Sequence, residues 1–107
     1  MEEATVPGTG DESLLAATVR VPEHVVYRAF VKETVVLNLQ TGKYHGLNPT
    51  GGRMLEVLTK AENIGEATAK LASEYGQRQG EIERDVLALC KDLIERGLIE
   101  LHSGADR

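Results

Sequence analysis

Apolar residues follow a two-residue period in the first part of the chain and a helical period after it. Three short segments rich in β-branched and aromatic residues predict strands. These predicted strands cover residues 25–31, 34–39 and 43–47. Val35, Leu37 and Leu39 fall on one face of the second strand, and Gly42 suits a turn that needs a positive φ. The three segments predict a small antiparallel sheet.

The helical part begins at Pro49, a residue suited to the first turn of a helix. Three stretches then place apolar residues at helical spacing. They are Met54, Leu55, Val57 and Leu58; Ile64, Ala67, Leu71 and Tyr75; and Ile82, Val86, Leu89, Cys90 and Leu93. Gly76 closes the second helix, and Gly97 follows the third (residues 81–96), where a left-handed cap belongs. Residues 98–101 form a short apolar segment that is predicted to pack back on the core.

Three strands followed by three helices predict an α+β domain of winged helix-turn-helix-like architecture. We assign this domain to residues 21–102. Residues 1–20 mix small residues and acids with the turn-forming pairs Pro7-Gly8 and Gly10-Asp11, and we interpret them as a flexible acidic tail. Residues 103–107 are expected to form a frayed C-terminus. A chain of 107 residues has room for one domain of ordinary size.

The composition narrows the class of protein. With 41% hydrophobic and 27% charged residues, the chain can bury one core and is unlike a disordered sequence. No apolar run approaches the roughly 18 residues that span a bilayer, and the acidic start Met1-Glu2-Glu3 is unlike a signal peptide. One cysteine supports neither an internal disulfide nor a usual zinc site. We therefore expect a cytoplasmic protein with no membrane contact, no metal and no cofactor.

The charge distribution bears on nucleic-acid binding, which winged-helix domains commonly perform. The net charge is −5, and the four acids of residues 1–19 supply most of it. The third predicted helix would be the recognition helix, but it carries five acids against three bases between Glu81 and Gly97. That sign is unfavourable toward polyphosphate. We predict no nucleic-acid partner, and a DNA-binding regulator stands as the alternative function.

Residues for catalysis are sparse. His24, His45 and His102 lie in three different contexts, without a neighbouring Cys, Ser or acid at triad spacing. Cys90 falls on the apolar stripe of the third helix, which favours a buried core residue over a nucleophile. Gly51-Gly52 lacks the strand–loop–helix context of a phosphate-binding loop and suits the start of a helix. The sequence predicts a protein that is not an enzyme.

The third predicted strand has the features of an open sheet edge. Residues 43–47 contain no proline and a single charge, Lys43, and Gly46 lets another backbone approach closely. On the third helix, Leu87 and Ile94 widen the apolar arc, which indicates either extra burial or a groove for a partner. The other flank holds Asp85, Ala88, Leu89 and Asp92. An extended peptide could pair with the strand and lie against this helix.

Two stretches carry a resemblance to a known family. The run from Val36 to Asn48, with Thr41-Gly42-Lys43-Tyr44 at its centre, resembles the "vLLd-xx-tGryxxLN" stretch of PqqD-like proteins. A helix beginning at Pro49 follows in both. Asp85 to Leu89 and Leu93 to Ile99 are similar to the family's "Dv-xx-l-xx-L-xxx-GLi" ending. The similarity covers roughly residues 24–101.

The resemblance implies a function. PqqD-like proteins of this kind are recognition elements for ribosomally made, modified peptides; they bind the precursor's leader as an added strand and present its core to a modifying enzyme. Transferred to this chain, the peptide-binding residues would be Tyr44, His45, Gly46, Leu47, Asp85, Ala88, Leu89 and Asp92. The resemblance is nearest to the free-standing leader-binding proteins of lasso peptide biosynthesis. There the enzyme partners are a leader peptidase and a macrocyclase; in quinone-cofactor biosynthesis, the alternative pathway, the partner is a radical enzyme. His45, where lasso members often have an aromatic residue, and the acidic tail depart from the pattern. An interaction module for another protein is a further alternative.

Overall fold

The computed structural model describes residues 14–102, and residues 14–16 are helical. The elements run in chain order as β1 (Thr18–Arg20), β2 (Val25–Ala29), β3 (Thr34–Asn38), β4 (Tyr44–Leu47), α1 (Pro49–Lys60), α2 (Ile64–Tyr75), α3 (Gln79–Glu95) and β5 (Glu100–His102). The three predicted strands are β2, β3 and β4, and the three predicted helices follow them. The α+β prediction is confirmed.

Strands β2, β3 and β4 form an antiparallel sheet with β3 in the centre. Val36 of β3 pairs with Tyr27 on one side and with His45 on the other. Asn38 shapes the β3–β4 turn, because its side-chain oxygen accepts hydrogen bonds from the backbone N–H groups of residues 40 and 41 at 2.9 and 3.2 Å. Gly42 has a φ of 77°, the positive value that the sequence predicts. Both β2 and β4 are edge strands of this sheet.

The helices begin and end at the residues that their local chemistry favours. The Asn48 side chain caps α1 by accepting a hydrogen bond from the N–H of Gly51 at 2.7 Å, with Pro49 in the first turn. The Asn63 side chain caps α2 in the same way. Gly76, at a φ of 65°, ends α2, and Gly97, at 72°, follows the end of α3. Both glycines take the left-handed conformation that the sequence predicts.

The core lies between the inner face of the sheet and the three helices. Its fully buried large side chains come from β3, from every helix and from the segment after α3: Val36, Leu55, Leu58, Ile64, Leu71, Ile82, Val86, Leu93 and Leu98. Leu98 and Ile99 are buried, so the terminal apolar segment does pack back on the core. Tyr75, which the helical pattern assigns to the apolar stripe of α2, is 40% exposed because it lies in the last turn.

The boundary predicted at residue 21 is wrong. Residues 18–20 form β1, which pairs antiparallel with β5, and Val19 opposite Leu101 is only 3% exposed. The partner strand is about 80 residues away in sequence, so no local pattern signals this pairing. The folded domain therefore includes β1, and residues 14–20 are not part of a flexible tail. The tail prediction for residues 1–13 and the frayed end at 103–107 lie outside the described residues.

The two faces of the three-stranded sheet differ, and the alternating apolar residues of β3 lie on the face away from the helices. Thr34, Val36 and Asn38 of β3 are buried on the inner face. The alternate residues Val35 and Leu37 are half-buried on the opposite face. We call that opposite side the outer face; its side chains are Val26, Arg28, Val35, Leu37, Leu39 and Tyr44.

Candidate functional site

The free edge of β4 follows from the hydrogen-bond pattern of the sheet. The N–H of Asn38 donates to the carbonyl of Lys43 at 2.9 Å. Because hydrogen-bonded and non-hydrogen-bonded pairs alternate in antiparallel sheets, the next bonded pairs join His45 to β3 and Leu47 to β3. The backbone N–H and C=O groups of Tyr44 and Gly46 therefore point away from β3. No strand among residues 14–102 pairs with that edge.

Side chains of β4 alternate between the two faces of the sheet. His45 and Leu47 share the inner face with Val36 and Thr34, and both are half-buried. Tyr44 projects on the outer face and is 72% exposed. Gly46 also belongs to the outer face, where the carboxylate of Glu33 lies over it: a Cβ built there would be 2.7 Å from Glu33 Oε1.

The C-terminal end of α3 contacts β4 through Arg96. Arg96, the residue that caps α3, places its guanidinium Nη1 3.2 Å from Nδ1 of His45. Asp85, Leu89 and Asp92 precede Arg96 by 11, 7 and 4 residues, spacings that keep all four on one side of a helix. Arg96 Nε also donates to Asp92 Oδ1 at 3.1 Å. The His45–Arg96–Asp92 chain therefore spans the gap between strand and helix.

Apolar and charged groups border the space between β4 and the Arg96 side of α3, and we call this space the groove. Leu89 is half-buried against the core, and Leu47 supplies a second half-buried apolar side chain from the strand. Asp85 and Asp92 are exposed on the helix side. The groove thus offers outward main-chain groups and Leu47 on the strand side, and Leu89 between two carboxylates on the helix side.

α3 carries two further features that the sequence singles out. Ala88 is exposed, lies about 100° around the helix from Leu89, and lines a depression with Gly80, Arg84 and Lys91. Leu87 and Ile94 lie on the flank opposite Arg96. Leu87 is 6% exposed, so it extends the core, whereas Ile94 is 39% exposed. The wide apolar arc reflects burial of Leu87 and does not widen the groove.

Arg96 is the groove residue that sequence reasoning missed. Its position four residues after Asp92 places both on one side of α3. Its contact with His45, 51 residues away in sequence, depends on how α3 packs against the sheet. No local pattern signals such a contact.

The described residues hold no cluster that suggests catalysis. His24, His45 and His102 lie apart, and His102 pairs with Glu100 at 3.4 Å. Cys90 lies on the buried side of α3, 1% exposed, and burial raises the pKa of its thiol to about 11. Residues 14–102 contain no group of three or more His, Cys, Asp or Glu side chains placed to hold a metal ion. Within the same residues no helix has the length and apolar character to cross a membrane.

Comparison with solved structures identifies two similar chains. One structure is of TbiB1 in complex with the TbiA(beta) leader peptide, 30% identical, with a TM-score of 0.69 and coverage of 76% of this chain and 94% of that chain. Another is of a lasso peptide synthetase B1 complexed with its leader peptide, 26% identical, with a TM-score of 0.69 and coverage of 77% and 96%. No curated protein sequence matches the chain.

Comparison with family models agrees with the fold. The model described as coenzyme PQQ synthesis protein D, PqqD, matches residues 33–99. The match spans β3, β4 and all three helices, and so includes both walls of the groove. The chain belongs to the PqqD family.

Proposed function

We propose that this protein recognises the leader of a ribosomally made precursor peptide and presents the core peptide to a modifying enzyme. The observation that carries the proposal is the free edge of β4 beside the Arg96 side of α3. Two similar solved structures, both described as complexes with leader peptides, support it.

Main-chain pairing supplies the first part of recognition. A leader segment in extended conformation would exchange hydrogen bonds with the N–H and C=O groups of Tyr44 and Gly46, the outward pair on β4. This pairing depends little on side chains. It therefore provides affinity for an extended peptide without selecting its sequence.

Side-chain contacts supply the second part. In an added strand, every second leader side chain points to the inner side of the sheet, toward α3. There an apolar leader residue would contact Leu47 and Leu89, and a basic one would meet Asp85 or Asp92. We therefore expect the leader to be extended, with apolar residues at alternate positions. We also expect a lysine or arginine whose side chain reaches the acids on α3.

The pathway and partner are part of the proposal. One neighbour is described as a lasso peptide synthetase B1, which favours lasso peptide biosynthesis over the quinone-cofactor pathway. The enzyme partner would then be a leader peptidase or a macrocyclase, acting in the cytoplasm. This chain would contribute binding and presentation without catalysis, since its one cysteine is buried and its described histidines lie apart.

The test is titration of a fluorescein-labelled leader, from the precursor encoded beside this chain, followed by fluorescence anisotropy. We expect a Kd between roughly nanomolar and micromolar, about −12 to −8 kcal/mol. Leu89→Ala should weaken binding at least fivefold, and Lys91→Ala, the matched control on the side of α3 away from Arg96, should leave it unchanged. Both variants must keep the parent's circular dichroism spectrum. No binding of the parent at tens of micromolar would contradict the proposal.

A further inference from the structure

The outer face of the three-stranded sheet is apolar, and no element of residues 14–102 covers it. Val26 is 46% exposed, Leu39 57% and Tyr44 72%, and no helix among the described residues packs on that side. Val26, Leu37 and Tyr44 pair across the three strands, so their side chains form one continuous row. Apolar rows of this kind on a sheet are ordinarily buried, which indicates an interaction surface.

Among the described residues, two charged groups lie on the outer face. Arg28 lies on β2 beside Val35, and the Glu33 carboxylate lies at the rim over Gly46. A complementary surface would be apolar, with an acid opposite Arg28.

A bound leader would enlarge this face. Tyr44 and Gly46 hold the outward main-chain groups of β4, and their side-chain positions belong to the outer face. Residues that lie directly opposite one another in a sheet share a face. The leader residues paired with Tyr44 and Gly46 would therefore place their side chains beside Tyr44 and extend the row that begins at Val26.

We propose that the outer face is the docking surface for the enzyme that acts on the core peptide, and that the bound leader completes this surface. The inference rests on the proposed function and adds the position of the second partner. The enzyme would contact a four-stranded sheet, of which this chain supplies three strands and the precursor the fourth. It would thus discriminate the loaded from the empty protein without contacting the inner groove.

The test uses a double variant on the face and a matched control. Val26→Gln with Leu39→Gln removes two exposed apolar side chains from the outer face. Tyr75→Gln with Ile94→Gln removes two from the helices, where the exposed fractions are 40% and 39%. For each protein, one measures the Kd for the labelled leader by anisotropy. One then measures the Kd for the neighbouring modifying enzyme by biolayer interferometry, with and without saturating leader.

The parent should bind the enzyme at least tenfold more tightly when the leader is present. The outer-face variant should bind the leader within twofold of the parent but lose at least tenfold in affinity for the enzyme, and the control should lose neither. The inference would be overturned if the outer-face variant and the parent bound the enzyme with the same Kd. It would also be overturned if the parent's Kd for the enzyme were the same with and without leader. A dimer of the parent that the outer-face variant abolishes would overturn it too. Failure of the parent to bind leader would instead contradict the proposed function.

Discussion

Gly46 is the residue on which strand addition depends most directly. Its N–H points away from β3, so replacing it does not remove a hydrogen bond from the β3–β4 pairing. The neighbouring His45 differs, because its N–H faces β3 and proline there would break the sheet itself. The sequence alone leaves both positions as equivalent candidates, and the register decides between them.

Gly46→Pro should therefore weaken leader binding at least tenfold, equivalent to about 1.4 kcal/mol, because proline removes the donor and adds bulk at the edge. Gly46→Ala is the matched control, since it keeps the N–H. Its added Cβ would meet only the far end of the Glu33 side chain, which is able to rotate away. Fluorescence anisotropy measures the Kd of both variants for the leader, and thermal melting verifies that each variant is folded. A folded Gly46→Pro variant that binds like Gly46→Ala would argue against pairing at this position.

At the level of elements, α1 approaches the sheet through Gly52. A Cβ built on Gly52 would lie 2.8 Å from the Cβ of Thr34, a buried residue of β3. The sequence suggested only that this glycine pair suits the start of a helix. The packing against β3 gives Gly52 a second role, which the spacing of residues along the chain does not reveal.

Gly52→Ala should lower the free energy of unfolding by about 1–3 kcal/mol, because the added methyl overfills the contact with Thr34. Gly80→Ala is the control. Gly80 lies in the first turn of α3 with open space around its Cβ position, so alanine there should be neutral or stabilising by up to about 1 kcal/mol. Urea denaturation measures both. Equal stability of the two variants would contradict this account of α1 packing.

The sequence predicts local features of the elements better than their long-range pairing. Gly42, Gly76 and Gly97 all have the positive φ that their positions in turns and caps indicate. By contrast, the sequence does not predict the β1 strand or the position of Arg96 beside β4, because their partners, β5 and His45, are distant in sequence. The alternation of Val35, Leu37 and Leu39 identifies β3 as a strand. It does not reveal that this apolar face points away from the helices, because the core is built on Val36 instead.

At the scale of the whole molecule, the charge of α3 argues against DNA binding. The helix with its C-terminal cap carries five acids and three bases, and Arg96 among those bases is paired with Asp92. We expect no retardation of duplex DNA from the neighbouring promoter at about 0.15 M salt, since little cationic surface is available to displace counterions. Electrophoretic mobility measures this. Sequence-dependent binding at submicromolar protein would instead favour a winged-helix regulator.

The measurement that tests the central claim most directly is amide hydrogen exchange by NMR, residue by residue, with and without the leader. In the free protein the amides of Tyr44 and Gly46 should exchange fast, and those of His45 and Leu47, bonded to β3, should be protected. Saturating leader should slow amide exchange of Tyr44 and Gly46 at least tenfold. The exchange rate of the Tyr27 amide, which points outward on the β2 edge, should stay unchanged. Saturation with leader that leaves Tyr44 and Gly46 exchanging at the free rate would contradict strand addition at β4.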